Sequence, residues 1–339
     1  MTATTSNMSV AMTTTGMAQI TGGSHMTSSS SPSSPPGSSQ LYFQCAVVVI
    51  GVVGTATNAL ILYALVASKQ HKKHVLIVNQ NALDLFSGFF LAVTYSLKLC
   101  NIYLKGTTGY WLCTLLLSDI PSYSGMVCST INLAAISIER YLKIVHRTWS
   151  KKHLRKWMIY SAAAFAWIGS IIYALGMVFP TTKVINGVCY AFAFWEDEMA
   201  AVAIIIWSFV SFYVIILLIF IFCYWRILAV IRHQASVMAD HSASGGSSTH
   251  QTHYNHIQTS VLKTMVLVSV LYAIAWLPNY ICVLLIYLSP NLPFLFSSYY
   301  VALLISFLYI CTNPFIYATK LDPVKEIILR MVPCKKISA

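Results

Sequence analysis

The stretch Met126–Tyr141, with the sequence MVCSTINLAAISIERY, joins a long apolar run to a pair of charged residues. Glu139 and Arg140 form that pair in a chain of which only 9% is charged. Ionisable side chains at membrane depth are destabilising and usually lie near a partner, a cavity or an interface. From the charge pattern alone, the pair is either the solvated end of a long helix or a functional switch.

The composition excludes an ordinary soluble domain, because 57% of the 339 residues are hydrophobic and the mean hydropathy is +0.69. A membrane helix needs a run of about 20 mostly apolar residues. Such runs predict seven helices, at 44–67, 75–97, 112–142, 156–179, 200–230, 259–288 and 298–319. Short connections between the runs predict one compact bundle. Lipid-facing strands are not expected, since backbone in lipid must satisfy its own hydrogen bonds.

The basic residues predict how the bundle is oriented. With the N-terminus outside, only Lys98, Lys105 and Lys183 of the 21 Lys and Arg residues fall on the outer side. Positive residues concentrate on the cytoplasmic side of membrane proteins. We therefore expect a multi-pass protein of the plasma membrane with an extracellular N-terminus. The net charge of +12 is a topology signal and an attraction to anionic membrane lipid, not evidence of nucleic-acid binding.

Three segments are predicted. Residues 1–43 contain no Lys or Arg, are rich in small polar residues and are expected to be a disordered extracellular N-terminus. Residues 44–319 form the seven-helix domain, and 320–339 form an amphipathic helix and a short cytoplasmic tail. Asn7 begins an Asn-X-Ser glycosylation motif. Cys334 precedes two lysines just after the last helix and is a candidate palmitoylation site.

Two of the nine cysteines are expected on the outer side of the membrane. Cys113 lies at the head of the third run and Cys189 lies in the second outer loop. In that oxidising compartment they could form a disulfide that fastens the loop over the bundle. Most other cysteines lie in or beside apolar runs and are interpreted as small packing residues.

Polar residues interrupt several apolar runs, and buried polar groups need partners. Asn58, Asp84, Ser129, Asn132 and Asn313 are therefore expected to meet in the core. Asp84 is the only carboxylate within its run. A sodium ion bound by oxygens of Asp84 and Ser129 is one arrangement, and a protonated, hydrogen-bonded Asp84 is the other. The sequence does not decide between them.

Two runs contain an internal proline. Pro278 follows Trp276-Leu277 in the sixth run, and Pro314 follows Asn313 in the seventh. A proline removes a helical hydrogen bond and opens a kink. Such kinks are either packing adaptations or places where helices pivot, and the neighbouring Trp276 and Tyr317 favour pivots.

Together these residues resemble the rhodopsin-like (class A) G-protein-coupled receptors, over about residues 44 to 334. The motifs occur in the family's order on the corresponding helices: Asn58; Asn79 and Leu83-Asp84; Glu139-Arg140-Tyr141; Trp167; Tyr224; Trp276-Leu277-Pro278; and Asn313-Pro314-Phe315-Ile316-Tyr317. The resemblance implies an all-α fold, a seven-transmembrane helix bundle with a short amphipathic eighth helix at Asp322–Met331.

The resemblance also implies roles for these residues. Arg140 would pair locally with Glu139 in the resting state and turn toward a G protein on activation. Trp276 would lie at the floor of the ligand pocket. An allosteric sodium ion, the only cofactor implied, would bind Asp84, Ser129 and Asn313. The implied activation switch consists of Glu139, Arg140, Tyr141, Tyr224, Trp276, Pro278, Asn313, Pro314 and Tyr317.

The chain departs from the family pattern at several positions. Cys113 lies two residues farther from Arg140 than is usual, so the disulfide requires a local bulge near Pro121. Ile216 stands where the fifth helix usually has a proline. At 147–148, Arg and Thr replace the usual Pro and bulky apolar residue, which leaves G-protein docking open.

The same alignment of motifs restricts the ligand. Ser122 stands where amine receptors carry an aspartate, and Phe307 stands where opsins carry the retinal-binding lysine, so both classes are disfavoured. Asp119 and the acids at 196–198 suggest a peptide or another partly basic ligand. A solvated acidic helix start, favoured by the helix dipole, explains the same acids. The expected pocket residues are Ser122, Tyr123, Met126, Trp276, Asn279, Tyr280 and Phe307.

The leading hypothesis is a cell-surface receptor that binds an extracellular ligand, with a peptide favoured, and activates heterotrimeric G proteins. Arrestin is a further implied partner. The alternative is a decoy or scavenger receptor without G-protein coupling, supported by the altered second inner loop. A transporter ranks third, because the sequence shows no internal repeat. An enzyme is not expected, since candidate triad residues lie on opposite membrane faces or in loops.

Overall fold

The computed structural model describes residues 38–72, 74–191, 198–243, 249–288, 294–320 and 322–331. The α-helices within these ranges are α1 (Ser38–Ala67), α2 (Val75–Leu99), α3 (Gly106–Leu112), α4 (Ile120–Val145), α5 (Arg147–His153), α6 (Lys156–Val178), α7 (Glu198–Phe209), α8 (Ile215–Ala243), α9 (Thr249–Leu288), α10 (Phe294–Lys320) and α11 (Asp322–Met331). A π-helical segment, Val210–Val214, joins α7 to α8. Another, Cys113–Leu117, follows α3.

Six described segments are long and apolar enough to cross a membrane, namely Ser39–Ala67, Val75–Leu99, Lys156–Thr181, Met199–Gln234, Lys263–Leu288 and Ser297–Thr319. The remaining long helix, α4, has 26 residues and packs against α2, α6 and α8. Its polar residues face these neighbours instead of lipid. The seven-helix bundle and the short helix after it, α11, are therefore confirmed.

The first helix begins at Ser38, before the predicted start at residue 44. Its early residues have partners in the bundle, because the Phe43 ring lies 5.8 Å from that of Tyr95 and 4.7 Å from that of Tyr300. Tertiary contacts thus extend the helix past the apolar run. Asn7 and Cys334 lie outside the described residues, and their modifications stay predictions.

Close packing of α1 on α2 depends on two glycines. A Cβ atom added to Gly51 would lie 2.6 Å from the backbone nitrogen of Ala92 and 2.8 Å from the carbonyl oxygen of Gly88. A Cβ atom on Gly88 would lie 3.1 Å from the backbone nitrogen of Thr55. Membrane helices associate through such close packing, since lipid gives them no hydrophobic drive to associate. The α1–α2 interface therefore requires small residues here.

A β-hairpin covers one end of the bundle, which we call the hairpin end. Strands β1 (Lys183–Ile185) and β2 (Val188–Tyr190) pair in an antiparallel register and are the strands of the described part of the chain. Asn186 and Gly187 form the turn, with φ of 52° and 77°, as a two-residue hairpin turn requires. Cys189 of β2 is bonded to Cys113, so the predicted disulfide is confirmed.

The extra length between Cys113 and Arg140 is absorbed before α4 begins. Cys113–Leu117 forms a π-helical turn, which accommodates an added residue. Asp119 then adopts the left-handed conformation, with φ of 64°, which aspartate tolerates better than most residues. The bulge that the sequence requires near Pro121 thus lies just before it, and it lets Cys113 reach the hairpin.

We expect Gly51→Ala to lower the apparent free energy of unfolding by about 1–3 kcal/mol, because the new methyl group meets backbone atoms of α2. Gly169→Ala is the matched control, since nothing lies within 4 Å of a Cβ atom there. It should leave stability unchanged or raise it slightly. Thermal unfolding of the purified protein in detergent measures both, and equal melting temperatures for the two variants would contradict this account of the α1–α2 interface.

Candidate functional site

A cavity of about 270 Å³ opens at the hairpin end of the bundle. Its walls are largely aromatic and include the tyrosines Tyr95, Tyr123, Tyr280, Tyr287, Tyr299 and Tyr300. The expected pocket residues that line it are Tyr123, Met126, Trp276, Asn279, Tyr280 and Phe307. Ser122 is fully buried and is not among the lining residues. The structure therefore brings together all of the expected set except Ser122.

Residues of α1 and α10 that the sequence reasoning missed also line the cavity. Gln40 and Gln44 are buried one helical turn apart at the start of α1. Tyr299 and Tyr300 reach it from α10. The two glutamines could have indicated these cavity residues from the sequence, since two amides at i and i+4 on an apolar helix mark a polar face.

A buried ion pair lies beside the cavity. The Lys98 ammonium is 2.6 Å from Oδ2 of Asp119 and 4.2 Å from the centre of the Tyr95 ring. The Lys98 side chain is 3% exposed and that of Asp119 is 19% exposed. The other carboxylate oxygen, Oδ1 of Asp119, is buried and has no hydrogen-bond partner among the described residues. Oδ1 of Asn279, which also lines the cavity, is likewise buried without a partner in the described structure. The cavity wall therefore carries two acceptors that the protein itself does not satisfy, and the one on Asp119 belongs to a carboxylate.

The charge pattern predicts Lys98 as an outer-face lysine but does not predict its pairing with Asp119. The two residues lie near adjacent ends of neighbouring helices, on α2 and just before α4. The left-handed backbone of Asp119 contributes to this placement. Acids 196–197 lie outside the described residues, as does the side chain of Glu198. The larger acidic cluster expected at this end therefore stays a prediction.

Asp84 lies at the centre of the bundle, with 1% of its surface exposed. It accepts hydrogen bonds from Oγ of Ser129 at 2.8 Å and from Nδ2 of Asn313 at 2.7 Å. The three residues expected to hold sodium are therefore together. Gln80, one turn before Asp84 on α2, also donates to both carboxylate oxygens at 3.4 Å. Sequence reasoning missed Gln80, although its spacing from Asp84 places both on one helix face.

The polar cluster extends from Asp84 across three helices. Asn132 of α4 donates to Gln80 at 2.8 Å, and Asn79 of α2 donates to Asn132 at 2.9 Å. The indole of Trp167 on α6 donates to Asn79 at 3.1 Å. Asn58 does not join this cluster. It donates to the carbonyl oxygens of Gly54 and Ile310 and so links α1 to α10.

At the opposite end of the bundle, which we call the Arg140 end, the charged pair is separated. The Arg140 guanidinium lies 3.2 Å from Nδ1 of His74, at the start of α2. Glu139 pairs with Lys143 one turn along α4. This corrects the expected pairing of Glu139 with Arg140. Consecutive residues of a helix do not face each other, whereas residues four apart do.

The other switch residues lie in different surroundings. The hydroxyl of Tyr224 bonds to Ser137 of α4 at 2.7 Å and to Ser269 of α9 at 3.0 Å. Tyr317 of α10 is fully buried in the same apolar cluster. Its hydroxyl, like Nε of Arg140, has no hydrogen-bond partner in the described structure. The last expected member, Tyr141, instead bonds to His146.

The two prolines lie inside helices that face these sites. Pro278 is inside α9, between Trp276 and the cavity residues Asn279 and Tyr280. Pro314 is inside α10, directly after Asn313, which bonds to Asp84. Each proline is therefore placed where a change in helix direction would move a residue of the site.

Comparison with known proteins agrees with this architecture. Residues 57–317 match the family described as 7 transmembrane receptor (rhodopsin family). In shape, squid rhodopsin is similar, with a TM-score of 0.69, 16% identity, and coverage of 86% of this chain and 85% of that one. Because the family match spans most of the chain, the protein belongs to the rhodopsin family of seven-transmembrane receptors, the G-protein-coupled receptors.

Sequence relatives lie within the same family. The chain is 24% identical to somatostatin receptor type 5 of Bos taurus, covering 89% of this chain and 78% of the relative. It is 25% identical to galanin receptor type 1 of Homo sapiens (69% and 66%), and 24% identical to adenosine receptor A3 of Bos taurus (82% and 86%). It spans 63% of the somatostatin receptor type 3 of Mus musculus.

We expect His74→Ala to raise basal nucleotide exchange on a heterotrimeric G protein, because it removes a hydrogen bond that holds Arg140 in this conformation. One such bond contributes about 1 kcal/mol, which corresponds to a rise of about fivefold. Radiolabelled nucleotide binding to reconstituted G protein measures the effect. His71→Ala is the control, since Nδ1 of His71, three residues earlier, has no hydrogen-bond partner in the described structure. Equal basal exchange in both variants would show that His74 does not hold Arg140 in this conformation.

Proposed function

We propose that this protein is a cell-surface receptor for an extracellular peptide and that it transmits binding to a heterotrimeric G protein. Membership of the rhodopsin family supports the receptor and its coupling. Relatives named for somatostatin and galanin support a peptide. The observation that carries the ligand class is the carboxylate of Asp119, which presents an unpartnered oxygen beside the cavity.

The chemistry of the cavity favours a particular kind of ligand group. Lys98 neutralises the charge of Asp119, so a ligand group that binds at this part of the cavity wall does not need to be positively charged. Oδ1 of Asp119 accepts a hydrogen bond, and the surrounding tyrosine rings offer apolar contact with a polar tip. A peptide supplies both an N–H donor and apolar side chains. We infer that a peptide N–H group binds at Oδ1 of Asp119.

The size of the cavity limits how much of a peptide enters. A volume of about 270 Å³ lies below the usual range for drug-sized ligands, about 300–1,000 Å³. It accommodates one or two side chains and not a folded peptide. We infer that one end of the peptide inserts and that the remainder rests on the hairpin, which Cys113 and Cys189 hold in place.

Aromatic contacts offer a route from the cavity toward the Arg140 end. The Trp276 ring lies 6.4 Å from that of Tyr272, which lies 6.0 Å from that of Phe220. The Phe220 ring lies 6.1 Å from that of Tyr224. A ligand that displaces Trp276 would repack these rings as α9 pivots at Pro278. Packed interiors respond to small shifts by changing between discrete arrangements.

The charge distribution supports an extracellular N-terminus and a place in the plasma membrane. The basic residues other than Lys98, Lys105 and Lys183 then face the cytoplasm. Helix α11 packs Val324 against the bundle core and exposes Lys325. We infer that α11 lies along the inner membrane surface against anionic lipid. Arrestin is the remaining partner that the family implies.

We expect a screen of peptides and lipids on cells expressing the chain to yield a peptide that stimulates nucleotide exchange on G protein. Arg140→Ala should abolish that exchange while leaving peptide binding measurable. A response to nucleosides and not to peptides, as the adenosine receptor relative would allow, would overturn the ligand class. Peptide binding without nucleotide exchange on any purified G protein would favour a decoy receptor over a signalling receptor.

We expect Asp119→Asn to lower the potency of such a peptide by about tenfold or more, since hydrogen bonds to charged groups contribute about 1.5–3 kcal/mol. The substituted amide keeps one oxygen for Lys98 and turns an N–H group toward the cavity, where the ligand requires an acceptor. Lys105→Ala is the matched control at the same end, because the Lys105 side chain is exposed, lies over the Tyr103 ring and is not among the residues that line the cavity. Unchanged potency in Asp119→Asn, at equal surface expression, would contradict the proposed contact.

A further inference from the structure

The hydrogen-bonded amides between Trp167 and Asp84 have a fixed direction. An indole nitrogen can only donate, so Asn79 must receive the Trp167 bond through its oxygen. Asn79 then presents its nitrogen to the oxygen of Asn132 at 2.9 Å. Asn132 in turn presents its nitrogen to Oε1 of Gln80 at 2.8 Å. Each amide orientation follows from the previous one, and the last leaves the Gln80 nitrogen facing Asp84.

Gln80 therefore brings an N–H donor to the carboxylate. Its Nε2 lies 3.4 Å from both oxygens of Asp84 and also contacts Oγ of Ser129. Ser129 directs its own hydroxyl to Asp84 at 2.8 Å. Asn313 adds Nδ2 at 2.7 Å. Asp84 is thus surrounded by donors that belong to the protein, supplied by α2, α4 and α10.

This donor set does not fit a sodium ion. Hard cations are bound by oxygen ligands, whereas Gln80 and Asn313 turn N–H groups toward Asp84. Asn313 retains a buried Oδ1 with no partner in the described structure, so rotation of its amide would offer an oxygen. Gln80 lacks that freedom, because Asn132 holds its Oε1. The residues expected to bind sodium lie together, but the amide of the neighbouring Gln80 occupies the position beside Asp84 and Ser129 that a sodium ion would take.

We propose that the Gln80 side-chain amide takes the place of a sodium ion beside Asp84 and Ser129, which makes this receptor insensitive to sodium. The amide supplies a permanent donor where the family pattern implies an exchangeable cation. Sodium concentration then does not influence the equilibrium between receptor conformations. This inference concerns the core of the bundle and is independent of the peptide proposed for the cavity.

The test compares melting temperatures of the purified protein in sodium chloride and in choline chloride of equal ionic strength. The wild-type protein should melt at the same temperature in both salts. Gln80→Ala opens the position and should gain a sodium-specific rise of roughly 2 °C. Adding Asp84→Asn to Gln80→Ala should abolish that gain. Gln70→Ala, a substitution of a partly buried glutamine away from Asp84, should behave as the wild type.

Two results would overturn the proposal. A sodium-specific rise in the wild-type protein would show that the cation enters despite Gln80. Absence of a rise in Gln80→Ala would show that Gln80 is not what excludes the cation. If Gln80→Ala does not fold, Gln80→Ser also removes the amide and leaves space beside Asp84, and the same two outcomes apply to it.

Discussion

The hydrogen bonds of Asp84 are the constraint on which the arrangement of the bundle depends. A buried carboxylate surrounded by lipid-facing helices has no bulk water to solvate it, so its partners must come from the protein. They come from α2, α4 and α10, and the amides behind Gln80 extend the contact to Trp167 of α6. Because lipid gives the helices little hydrophobic reason to associate, these bonds and the glycine packing of α1 on α2 determine which helix faces meet.

The core around Asp84 lies between the two ends of the bundle. At the Arg140 end, some buried polar groups lack hydrogen-bond partners. At the Arg140 end, Nε of Arg140 and the hydroxyl of Tyr317 are buried without partners among the described residues. Leaving such groups unsatisfied is destabilising by about 1–3 kcal/mol each. A rearrangement that brought the Tyr317 hydroxyl to Nε of Arg140 would satisfy both groups. The conformation described here therefore has a competing arrangement within reach, as a two-state switch requires.

The sequence was sufficient for features that depend on local pattern and insufficient for those that depend on distant partners. Apolar runs predicted the membrane helices, and the prolines, motifs and cysteines fell where expected. The pairing of Glu139 with Lys143 was also available from helix geometry and was overlooked. In contrast, the orientation of Gln80 depends on Trp167 through two intervening side chains. The early start of α1 likewise depends on rings of α2 and α10 that contact Phe43.

The second inner loop bears on whether the switch reaches a G protein. Where the family pattern has a proline and a bulky apolar residue, this chain forms the helix α5, Arg147–His153. The residue after Thr148 is Trp149, which is 46% exposed and stacks on His153 at 5.1 Å. A large apolar surface is therefore present one residue later than the pattern places it, flanked by basic side chains. Trp and Arg are both enriched at contact surfaces between proteins, and Arg147 begins the same helix. The loop therefore keeps an exposed aromatic surface although Arg and Thr replace the usual residues at 147–148.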